Sequence, residues 1–167
     1  DNGFPVMLDQ RGPNGESQIM LSIGDGWGWA QIAYQFSHEF THIIINENQP
    51  GAGPNHWINE AFCEVASYHA LNKMAQEWKT HPPYPNWKSY APNLYEYAQE
   101  RLDKHTWPAE LSVGQWYAQH KKALRETPTD RAKNTTIPAA RRDGRKRRLG
   151  VTRTSPPAPT PPSSSSP

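Results

Sequence analysis

The stretch that decides the fold is WAQIAYQFSHEFTHIIIN, running from Trp29 to Asn46. Ile32, Ala33, Phe36, Phe40, Ile43 and Ile44 recur in it at three- and four-residue intervals, the spacing of one helical face. It contains neither Gly nor Pro, so nothing inside it interrupts a helix. It stops at residues 46–54, NENQPGAGP, a composition of turn formers. His38-Glu39-Phe40-Thr41-His42 stands at its centre. Positions i and i+4 share a helical face, so the two imidazoles can reach one metal ion together. Glu39 lies about 100° round the helix from His38. It is then close to the metal without needing to ligate it, which suits a carboxylate that takes a proton from water.

The next segment supplies further donors. Ile58, Ala61, Phe62, Val65, Ala66, Leu71 and Met74 predict a second helix from about Trp57 to Trp78, with Asn55 as its N-cap. Glu60 lies 18 positions after His42, and Glu64 four positions after that, on the same face. Both carboxylates are flanked by apolar residues, a setting in which unpaired charges are costly. A metal at Glu60 and an imidazole N–H at Glu64 would offset that cost. The connection holds Gly51, Gly53 and two prolines, so it can turn the second helix back against the first. His56, 14 positions after His42, is a rival third ligand. Cys63, the single cysteine, reads as a small buried residue and allows no intrachain disulfide.

These two segments together resemble the gluzincin metallopeptidases, which include the thermolysin-like and aminopeptidase groups. In that superfamily a HExxH helix precedes a second helix with an Asn-Glu pair and a further acidic residue four places on, as in Asn59-Glu60-Ala61-Phe62-Cys63-Glu64. The resemblance covers roughly residues 18–72. It implies one zinc ion held by His38, His42 and Glu60, with Glu39 as general base and Glu64 as the partner of a ligating histidine, His38. It implies a peptide or protein substrate, held along residues 18–23 by main-chain pairing. No motif places the group that stabilises the oxyanion; Tyr68, His56, Tyr117 and His120 are the candidates. The His56 alternative resembles the SprT-like DNA-associated proteases. A non-catalytic zinc module, its metal joining two helices, is the alternative from another class.

Outward from this centre, residues 4–8 (FPVML) and 18–23 (QIMLSI) are apolar runs separated by the turn-rich 10–17, and predict two strands. Residues 90–102 and 111–124 predict two more helices. The fold class is therefore α+β. By resemblance it is zincin-like, with a small N-terminal sheet, then the zinc helix, then a mainly helical C-terminal part. Trp27 and Trp29, just ahead of the zinc helix, are candidate cleft residues.

Charge divides the chain of 167 residues. Residues 1–130 carry 9 Lys and Arg against 15 Asp and Glu, a net of −6, and all seven Trp. Residues 131–167 carry 9 against 1, a net of +8, with no aromatic residue. A body at residues 1–126 and a disordered tail at 127–167, basic and then Pro/Ser-rich, follow from this. The basic run offers a nucleic-acid contact, but without aromatics for base stacking a solvated appendage is the better reading. No apolar run spans a membrane and no signal peptide is visible. The chain opens Asp1-Asn2-Gly3 without an initiator Met, so it reads as a fragment or a mature form, and its compartment is left open.

Overall fold

Helical periodicity becomes four α-helices in the computed structural model, which describes residues 3–24, 28–46, 53–105, 107–108 and 110–130. Trp27, most of the connection after the first helix, and residues 131–167 lie outside the described residues. The helices are α1 (Trp29–Asn46), α2 (His56–Glu77), α3 (Ala91–Asp103) and α4 (Val113–Glu126). A 3-10 turn at Pro85–Tyr90 leads into α3, consistent with the Pro-rich approach that cannot begin an α-helix early. Strands β1 (Val6–Leu8) and β2 (Gln18–Met20) pair antiparallel, with Met7 opposite Ile19. Among the described residues the fold is thus mixed but mostly helical, and its sheet has two strands. No described helix is long and apolar enough to cross a membrane.

The main packing is α1 on α2, with α3 closing the pair. Tyr34 on α1, Tyr68, Leu71 and Ala75 on α2, and Leu94, Ala98 and Leu102 on α3 make the apolar core. Small residues let the first two helices approach closely. Ser67 fixes the contact by donating its hydroxyl to the Tyr34 carbonyl across the interface, at 3.0 Å. α4 begins with a capping box between Ser112 and Gln115. It joins the body through Tyr117, whose ring stacks on Trp57 at 5.6 Å.

The helix limits follow the sequence pattern closely, but the buried faces do not. Phe36 and Phe40 are 48% and 46% exposed and stack on each other, while Phe62 on α2 is 62% exposed. The sides of α1 and α2 that meet carry His38, His42, Glu60 and Glu64, and Gln35 and Glu39 face the N-terminal segment; all six are buried. Apolar spacing identified α1 as a helix and pointed to the wrong side of it. Burial here follows the polar groups, because His38 and His42 meet Glu60 and Glu64 across the helices while Gln35 and Glu39 are satisfied by Ser22 and the Met7 amide. Asn55 does occupy the cap position of α2, but its side chain makes no capping hydrogen bond. Trp29 packs on Trp87 at 5.4 Å rather than lining the cleft that holds the histidines.

Candidate metal centre

Three successive turns of α1 build one wall of the site. Tyr34, His38 and His42 follow at four-residue steps, so their side chains rise on one face. The rings of His38 and His42 stand edge to face at 5.0 Å between centroids. α2 answers with Glu60, Cys63, Glu64 and Ser67, which recur at three and four residues and are buried. The two helices therefore meet across a layer of polar side chains.

Glu60 bridges both histidines. Its Oε2 lies 3.3 Å from His38 Nε2, and its Oε1 lies 3.4 Å from His42 Nε2. His56, from the first turn of α2, reaches the same Oε1 at 3.2 Å. Burial alone would raise the Glu60 carboxyl, but the imidazoles of His38 and His42 outweigh it and hold the group well below the usual carboxylate range. Glu64 lies behind His38, with Oε1 at 3.6 Å from Nδ1, just beyond hydrogen-bonding reach. Its Oε2 accepts a hydrogen bond from the Tyr34 hydroxyl. Burial, then the neighbouring Glu64 charge, pushes the Tyr34 phenol far up.

Cys63 is fully buried beside this cluster. One donor atom each from His38, His42 and Cys63 lie within 4.8 Å of one another, so these three residues could hold a metal ion. Burial, then the charges of Glu60, Glu39 and Glu64, raises the Cys63 thiol. Two third donors thus compete on geometry. Glu60 reaches the two imidazoles through different oxygens, and His38 Nε2 and Glu60 Oε2 are also within hydrogen-bonding distance; nitrogen or oxygen donors at about 2.0–2.1 Å from a tetrahedral zinc are roughly 3.3–3.4 Å apart. Both Glu60–histidine separations have that value. The buried atoms His38 Nδ1 and Glu64 Oε1 lack hydrogen-bond partners. They face one another, and a small ring movement would join them.

A cavity of about 560 Å³ opens over the cluster. Glu39, His42, His56 and Glu60 line its floor, Phe4 to Met7 one side, and Thr129 another. Thr129, placed with the tail on composition, therefore lines the cleft. Glu39 is buried and its Oε2 accepts the Met7 amide at 2.9 Å. Met7 sits opposite Ile19 with its amide turned away from β2, so the strand edge at the cleft belongs to β1. The stretch 18–23 does not line it; Ser22 is instead tied to Gln35 of α1 by its amide and carbonyl. Of the four oxyanion candidates only His56 lines the cleft. Tyr68 is buried in the core, Tyr117 lies against Trp57, and His120 lies against Trp116.

Sequence reading passed over Tyr34, the Met7 amide and Thr129, and left Cys63 as a packing residue. Tyr34 had a signal: it stands one turn before His38 on the same face. The Met7 contact spans 32 positions and has no local signal. Compared with known proteins, the chain matches no family model, no curated protein and no solved structure.

Proposed function

We propose that this chain is a zinc-dependent peptide hydrolase of the gluzincin type, with a zincin-like fold. The observation that carries the proposal is the placing of one carboxylate, Glu60, at zinc-ligand separations from two imidazoles on the HExxH helix. His38, His42 and Glu60 would hold the ion. Zinc, when bound, supplies a Lewis acid that polarises a carbonyl and makes water a stronger acid.

The chain's own residues supply the rest. Glu39 lines the cleft with one oxygen held by the Met7 amide, so its Oε1 is aimed by a fixed hydrogen bond. It would take a proton from water there and return it to the leaving amine. Glu64 would orient His38 through Nδ1, and Tyr34 would hold Glu64 in turn. His56 lines the cleft and would donate to a tetrahedral oxyanion once its Nε2 turns from Glu60 Oε1. The outer edge of β1, with the Met7 amide held by Glu39, would offer an extended peptide the Met7 carbonyl as acceptor.

Glu39→Gln tests this function. The variant should keep its zinc while hydrolysis of a mixed peptide library falls by about 10²–10⁴-fold. Undiminished turnover would remove Glu39 as the base.

Cys63 supports a second proposal. With His38, His42, Glu60 and Cys63 all bound, the coordination would be closed and the metal structural. Cobalt-substituted protein separates the two. A thiolate-to-cobalt charge-transfer band, lost in Cys63→Ser, would favour the closed centre; its absence favours the open one.

A further inference from the structure

A second cavity, of about 210 Å³, lies one helical turn along α1 from the metal cluster. The segment Gly3–Pro5 borders it, and Phe4 and Pro5 also line the larger cleft, so one stretch of chain separates the two. Its walls include Ser22, Gln31 and Gln35, and its cationic group is Arg101 from α3.

The donors of this cavity are unevenly spent. Gln31 and Gln35 both donate to the Ser22 carbonyl, and Gln35 accepts the Ser22 amide, so the glutamines are held as a fixed wall. Arg101 stacks on the Tyr34 ring at 4.3 Å and donates one Nη1 hydrogen bond to the Tyr97 hydroxyl at 3.3 Å. Its Nε is enclosed and has no hydrogen-bond partner. Among the described residues no carboxylate pairs with it. The nearest candidate, Glu64, lies beyond Tyr34 and is committed to the Tyr34 hydroxyl. A guanidinium carries five N–H donors in a planar fork; Arg101 is partly buried and its neighbours are tyrosines, whose rings and hydroxyls leave its charge without an anion. The Tyr97 hydroxyl, accepting from Arg101, still has its own proton to give.

We infer that this cavity is a carboxylate-binding site, with the Arg101 guanidinium and the Tyr97 hydroxyl as its donors. Among the described residues one cation and no acidic residue line the cavity, which suits a single negative charge, and the volume admits a group of a few heavy atoms. The site lies beside the cleft proposed for peptide hydrolysis. A peptide's C-terminal carboxylate or its Asp or Glu side chain is then the source, an assignment that rests on that proposed function. Carboxylate binding itself does not.

The test uses the full chain and reads the Arg101 Nε–Hε resonance by NMR. Three probes are titrated separately: N-acetylglycine for a C-terminus, N-acetyl-aspartyl amide for a side chain, and inorganic phosphate. A saturable shift with at least one of the two carboxylates is expected, and the better of them names the source. Tyr97→Phe should weaken that binding by roughly threefold to tenfold, and Arg101→Met, followed on the probe's own signals, by roughly tenfold or more. No shift with either carboxylate, tighter binding of phosphate, or undiminished binding in both variants would overturn the inference. Hydrolysis is not in the readout, so an inactive protein leaves the result standing.

Discussion

Tyr34 touches no proposed ligand, yet it connects two parts of the molecule. Its ring lies under Arg101 and its hydroxyl holds Glu64, which faces His38. Burial and the Glu64 charge keep the phenol protonated far into the alkaline range. The unfolded chain loses that proton near pH 10. A group whose folded pKa is raised contributes stability that is complete below pH ~10 and declines above it. Thermal melts from pH 8 to 11 should therefore show an alkaline loss of stability that Tyr34→Phe reduces; an unchanged slope would contradict the buried pairing. Among donors, Glu60→Ala should weaken zinc binding more than His56→Ala or Cys63→Ser, as measured by competition with a chelator of known affinity. His38, Glu39, His42, Glu60 and Glu64 were all visible as candidates, because four-residue spacing on a helix is a local property. Cys63 was also visible but undervalued, because nothing along the chain shows that the imidazoles of His38 and His42 lie beside it in space.

At the scale of elements, helix positions were legible and helix faces were not. Trp29–Asn46 has the limits its composition suggests, since Gly and Pro begin just past it. Its exposed Phe36 and Phe40 and its buried His38 and His42 invert the usual sorting. Only a partner helix with matching polar groups makes that arrangement stable, and a single segment does not reveal its partner. The inversion has consequences for stability. Leu71 and Leu94 are fully buried in the core, so either Leu→Ala change should cost about 2–5 kcal/mol by chemical denaturation. Phe62→Ser, on an exposed position of the same helix as Leu71, should stay within about 0.5 kcal/mol. A large loss there would mean that the outer face of α2 is covered. Ser112→Ala removes the α4 cap and should cost about 1 kcal/mol.

Across the whole molecule, the cleft depends on contacts between distant segments: β1 over Glu39, α2 against α1, and Thr129 returning after α4. Local patterns gave the α+β class and the order of elements. Such patterns could not give which strand borders the histidines, since both runs are short and apolar and differ only in where they land. The apolar core of Tyr68, Leu71, Leu94 and Ala98 contains none of the proposed ligands. Chelation should therefore lower the melting temperature, through loss of ligand binding to the native state, without unfolding the chain at room temperature. Unfolding by a chelator alone would favour the closed, structural centre. The central claim is that His38, His42 and Glu60 converge on one zinc ion. Metal analysis of the purified full chain, before and after equilibration with zinc, tests it most directly. One zinc per chain, with strong loss in Glu60→Ala, is the predicted result; no bound zinc in either state would contradict it.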